Sequence, residues 1–121
     1  MILVDTSIWI DHLKRTDPKL FELLHEGEVC THPFIIGELA SGNLKNRVEI
    51  IQLLKALPEV LVATDDEVLQ FIEERHLYGK GLSYIDIHLL ASTFINKVSL
   101  WTKDKQLSII YLEINTKKNI F

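Results

Sequence analysis

The chain has little of what marks secreted, membrane-embedded or disordered proteins. Only one cysteine, Cys30, occurs in 121 residues. No internal disulfide can form, which excludes a disulfide-stapled scaffold. Long apolar runs are missing too. Met1-Ile2-Leu3-Val4 is apolar, but Asp5 ends the run at once, and no stretch approaches the roughly 20 residues of a membrane-spanning helix. No basic segment followed by a long apolar core is present, so no signal peptide is expected and the chain reads as cytoplasmic. Repeats, low-complexity tracts and linkers are absent, in keeping with a single domain over residues 1–121. A basic excess is also lacking, since the net charge is -4. That balance counts mildly against a nucleic-acid binder.

What is present is enough apolar material for a core, with 47% hydrophobic and 25% charged residues. The charge is unevenly spread. Residues 97–121 hold Lys97, Lys103, Lys105, Lys117 and Lys118 against Asp104 and Glu113, a balance of +3, and leave -7 on residues 1–96. A basic end beside an acidic body could steer a phosphate backbone towards an acidic site, although an ordinary solvated face explains it equally well.

Short apolar runs alternate with helical periods, the pattern of an α/β fold with a largely parallel sheet. Ile2-Leu3-Val4 reads as a strand buried on both faces. Asp5, Thr6 and Ser7 then offer helix caps, and Ile8, Trp9 and Leu13 recur at helical spacing. A second helix is expected from Asp17 to about His25, with Pro18 in its first turn, then a strand over Glu28–Thr31. Pro33 opens a helix carrying Phe34, Ile35, Glu38 and Leu39. Residues 45–57 form another, ended by Pro58. Val60-Leu61-Val62 is expected as a third strand. Thr64 and Glu67 form a capping box for a helix through about His76. Gly79-Lys80-Gly81 is a loop, and Ser83 begins the next helix. Val98-Ser99-Leu100-Trp101 is the fourth strand, Asp104 starts a helix to roughly Leu112, and a short fifth strand is expected near Asn119-Ile120-Phe121.

Four carboxylates stand out. Asp5 and Asp104 follow the ends of the first and fourth strands, where ligands of open α/β sheets bind. Glu38 lies on the helix after the second strand, among apolar neighbours where a buried glutamate would need a partner. Asp86 lies three residues after Ser83. Each has a plainer role by itself: Asp5 and Asp104 as caps, Asp86 as half of a capping box. Taken together, they would repel one another in one pocket. A divalent cation relieves that conflict, and with no cysteine–histidine cluster beside them, oxygen ligands favour Mg²⁺ or Mn²⁺ over Zn²⁺. Such a metal supports phosphodiester hydrolysis. Ser7 and Thr102, two residues from Asp5 and Asp104, could hydrogen-bond the carboxylates. Lys103 and Lys105 are candidate phosphate contacts. The histidines receive no role, and Cys30, Trp9 and Trp101 are expected in the core.

These residues resemble a known family. Val4-Asp5-Thr6-Ser7, Ile36-Gly37-Glu38-Leu39, the run Leu82 to Ala91 around Asp86, and Leu100-Trp101-Thr102-Lys103-Asp104 resemble, in order and spacing, the four acidic motifs of PIN domains. The short chain resembles the VapC-type toxins among them. The resemblance implies a three-layer α/β/α fold with about five strands in the order 3-2-1-4-5. It also implies Mg²⁺- or Mn²⁺-dependent RNA cleavage, a homodimer, and a cognate antitoxin lying over the active-site groove. Helices at residues 6–14 and 45–56, with Trp9 and Leu53, are candidate walls for that groove. A haloacid-dehalogenase-type phosphatase would need an acid where Ser7 stands. A phosphorelay receiver would need its acid pair elsewhere than Asp65-Asp66. The remaining alternative is a catalytically silent PIN-like module that binds RNA or protein.

Overall fold

Ile2–Val4 forms strand β1, which pairs in parallel with β2 (Val29–Cys30) on one side and β3 (Ser99–Trp101) on the other, giving the order β2-β1-β3. The computed structural model describes residues 1–119, with side chains through residue 116. A central parallel strand is covered on both faces, and Leu3 and Val4 are fully buried. Val4 lies opposite Trp101. Because the strands are parallel, the chain leaves β1 and β3 at the same sheet edge, and the Asp5 N–H donates to the Trp101 carbonyl at 2.9 Å. That single register places Asp5 beside the turn 102–104.

Seven helices surround the sheet among the described residues: α1 (Thr6–Lys14), α2 (Pro18–His25), α3 (Pro33–Ala40), α4 (Arg47–Ala56), α5 (Asp65–Arg75), α6 (Tyr84–Asn96) and α7 (Lys105–Asn119). Their starts follow local chemistry. Asp17 caps α2 through the Lys19 and Leu20 N–H groups, with Pro18 in the first turn. Thr64 with Glu67 and Ser83 with Asp86 close reciprocal capping boxes at α5 and α6. Leu20, Ile35, Leu39, Leu89, Leu90 and Leu107 join Leu3 and Val4 of β1 in one buried core. No helix among the described residues is long and apolar enough to cross a membrane.

Three expectations are corrected. Among the described residues the sheet has three strands rather than five. Residues 60–62 form no strand; among the described residues the pairing nearest them is an isolated parallel bridge between Thr31 and Glu59. The backbone of Leu61 is instead held by the Asn96 side chain, which accepts from its N–H at 2.9 Å and donates to its carbonyl at 2.8 Å. With its ladder groups taken by a side chain of α6, Leu61 is left 74% exposed. The last helix runs past Leu112 to Asn119, so the first residue of the expected fifth strand is helical and the other two lie outside the described residues.

α3 begins on an unusual cap. His32 is fully buried, and its Nδ1 accepts from the Phe34 N–H at 3.0 Å. An accepting Nδ1 assigns the proton to Nε2, which lies 3.2 Å from Ser92 Oγ. Burial, aided by neighbouring His88, depresses the pKa of His32 to about 4. Above pH ~6.5 the ring is neutral in both folded and unfolded chains and adds no pH dependence. Below it, the unfolded chain binds a proton that the native state refuses, so stability falls towards pH 4, by about 3 kcal/mol. Urea unfolding at pH 7 and pH 4 checks this. His32→Asn, which keeps a capping acceptor, is expected to lose markedly less over that interval, and equal losses would refute the assignment.

Candidate active site

Asp5 is the hub of the sheet edge and is 8% exposed. As the N-cap of α1 its Oδ1 accepts from the Thr6 N–H at 2.8 Å. Its Oδ2 accepts from Thr102 Oγ at 2.7 Å and, more weakly, from Ser7 Oγ at 3.4 Å. Both hydroxyls are themselves aligned by backbone donors of the turn after β3. The Asp104 N–H donates to Thr102 Oγ at 3.1 Å, and the Lys103 N–H to Ser7 Oγ at 3.2 Å. Two N–H to hydroxyl to carboxylate relays therefore converge on one oxygen. A carboxylate offers about four acceptor positions, so Oδ1 keeps one available.

The other three acids connect to this hub unequally. Glu38 on α3 accepts from Thr6 Oγ at 2.9 Å, one residue from Asp5. It is exposed rather than buried among its apolar neighbours, because Ile35, Ile36 and Leu39 take the inward positions of that helix. Asp104, also exposed, accepts from the Leu107 N–H through Oδ1 at 2.9 Å and reaches Asp5 through Thr102. Asp86 sits in its capping box, its Oδ2 accepting from the Ser83 N–H at 3.2 Å, with no bond to the other acids. The capping roles are thus real at Asp5, Asp86 and Asp104. Capping uses only one oxygen of Asp86 and of Asp104; among the described residues the other accepts no hydrogen bond.

These acids do not form a ready-made cage. Among the described residues no three acidic, histidine or cysteine side chains are gathered closely enough to hold a metal ion. The donor chemistry nevertheless fits a hard divalent cation. All the donors are oxygens, and Mg²⁺ usually keeps several waters and takes only one or two carboxylates, with substrate phosphate completing its shell.

Lys103 and Lys105 flank Asp104 and are exposed. The Lys103 ammonium is ion-paired with Asp11 of α1. Lys105 has no ion pair among the described residues. Trp101 is half-buried, with Lys19 Nζ 5.0 Å from its ring centroid. Trp9 and Cys30 are core residues, as expected. Sequence reasoning missed an aromatic cluster at the start of α6. His88 is buried, its ring 4.6 Å from Phe34 and 5.4 Å from Tyr84. The Tyr84 hydroxyl donates to Asp65 at 2.7 Å, and that bond, with His88 nearby, holds the Asp65 carboxyl below its usual range. The one available signal was the spacing of four between positions 84 and 88, which puts both on one side of the helix.

Asp5 and Asp104 thus stand at the carboxyl ends of parallel strands, where ligands of open α/β sheets bind. The PIN domain model matches residues 2–112, and the chain belongs to the PIN domain family. Among known proteins it is similar to Ribonuclease VapC32 of Mycobacterium tuberculosis, in strain CDC 1551 / Oshkosh and in strain H37Rv. Each is 46% identical over 108 residues, covering 88% of this chain and 87% of the relative.

Proposed function

We propose that this protein is a metal-dependent endoribonuclease and the toxin of a type II toxin–antitoxin pair. The observation that carries the reading is the double relay on Asp5, set at the shared edge of β1 and β3 in a chain closely similar to a named ribonuclease. Mg²⁺ or Mn²⁺ would be held among Asp5, Glu38, Asp86 and Asp104, by one or two carboxylates directly and by the others through its waters. When bound, that cation supplies charge neutralisation for a phosphate oxygen and a lowered pKa for water.

The chain's own residues do the positioning. Thr102 and Ser7 lock the rotamer of Asp5 by holding Oδ2, so that Oδ1 presents its remaining lone pair without reorganisation. Thr6 does the same for Glu38 through one oxygen. Lys103 and Lys105 would meet the phosphate backbone, Lys103 by exchanging Asp11 for a phosphate. A silent RNA- or protein-binding module is not favoured, since all four acids of the motifs are kept.

The partner would be an antitoxin that places an arginine beside the carboxylates, gripping one of them bidentately. In support, a cavity of about 500 Å³ lies between α1, α2 and α4 and is lined by both Trp9 and Leu53. Leu53 is exposed and is therefore available to an apolar partner segment. A homodimer and a cytoplasmic location complete the reading.

Purified protein with RNA tests it. Cleavage is expected with Mg²⁺ or Mn²⁺, to stop with EDTA, and to return when the cation is restored. Undiminished cleavage in EDTA, or none with either cation, would overturn the proposal.

A further inference from the structure

A second, more polar cavity opens beside Glu38. It has a volume of about 630 Å³, and Glu38 forms part of its wall. Lys14, the last residue of α1, and Lys45, just before α4, both line it. The two are exposed, and neither makes an ion pair among the described residues. Lys103, by contrast, is neutralised by Asp11. Asn43 and Asn46 add side-chain amides to the same wall, and Asn46 spends none on capping α4.

We infer that this groove is the track for the RNA strand on the Glu38 side of the reaction centre, with Lys14 and Lys45 as phosphate contacts. The inference rests on the nuclease reading and extends it to where the substrate lies. Charge decides the occupant. A polyanion leaving the acidic site meets two unpaired ammonium groups, and each contact releases counterions from the strand. A cationic partner segment aimed at the carboxylates would instead meet like charge along this wall. Asn43 and Asn46 can both donate and accept hydrogen bonds, which suits sugar hydroxyls and unpaired bases. Apolar residues of the same lining, Ile10 among them, offer contact for base faces.

The test uses a labelled single-stranded RNA of about 20 nucleotides and mixed sequence. It is titrated in Mg²⁺ against protein carrying Asp5→Asn to prevent cleavage. Adding Lys14→Ala and Lys45→Ala is expected to weaken binding roughly tenfold at 0.1 M salt. The slope of log affinity against log salt should flatten by about 1.4, at 0.7 per phosphate contact for a single strand. Lys14→Arg with Lys45→Arg should restore both, since charge rather than shape is at stake. An unchanged slope overturns the track, and if the same alanine pair abolishes capture of the antitoxin, the groove belongs to that partner instead. Lys103→Ala with Lys105→Ala is the comparison arm; a slope change confined to that pair also overturns the inference. Loss of the nuclease reading looks different: the unsubstituted protein would then cleave no RNA in either cation.

Discussion

Asp5→Asn is expected to lower RNA cleavage by about 10²–10³-fold while leaving a folded protein. The loss follows from charge. One acceptor position of Oδ1 is left open beside the oxygen locked by Thr102 and Ser7, and an amide there can neither carry the negative charge nor bind a hard cation comparably. The fold survives because asparagine is as good a helix N-cap as aspartate. The new amide nitrogen would face Thr102 and Ser7, which can turn from donors into acceptors. Thr102 already accepts from Asp104, but a hydroxyl has a second lone pair. A stability change of about 1 kcal/mol or less is therefore expected. Single-turnover cleavage with Mg²⁺, beside a thermal melt, checks both halves. A purified variant cleaving at the unsubstituted rate would remove Asp5 from the site.

The second large effect is expected at Thr102, which touches no substrate and acts as a positioning residue. Thr102→Val keeps the shape and deletes the hydroxyl. Asp5 then loses its shortest donor, at 2.7 Å, and the Asp104 N–H loses its acceptor. Cleavage should fall about 10–100-fold, the usual cost of losing a hydrogen bond behind a metal-site ligand. Stability should fall by about 1–3 kcal/mol for the unsatisfied groups. Thr102→Ser restores the hydroxyl and should recover most of the rate, with the change read in kcat rather than KM. A merely structural Thr102 would lower stability in the valine variant without changing the rate of the folded fraction. Ser7→Ala should cost less than Thr102→Val, because its bond to Asp5 is 3.4 Å long.

Local chemistry made much of this protein readable from its residues. Caps, capping boxes and first-turn prolines act within three or four positions, so Asp17 with Pro18, Thr64 with Glu67 and Ser83 with Asp86 could be placed without coordinates. The unbroken apolar run of β1 signalled a strand buried on both faces for the same reason, and Asp5 at its end followed. The four acids were named from their places at strand ends and on the neighbouring helices, and the resemblance to PIN domains came from motifs spread along nearly the whole chain.

What stayed hidden depended on groups far apart in the chain. Val60-Leu61-Val62 has the composition of a strand, but whether its backbone finds a neighbouring strand or an amide is decided by Asn96, 35 residues beyond Leu61. Glu38 sits in apolar sequence yet faces outward, because the rotation of α3 against the core chooses which side is buried. The relays onto Asp5 join positions up to 97 residues apart. The pairing of Lys103 with Asp11, and the meeting of Lys14 and Lys45 with Glu38 around one cavity, are likewise matters of which helix ends meet. Residue type and short-range spacing thus placed the helix starts, β1 and the candidate acids. Only the packing of β1 between β2 and β3, and of the helices around them, decided which hydroxyls and cations those acids face, because hydrogen bonds and charges act over a few ångströms of space regardless of distance along the chain.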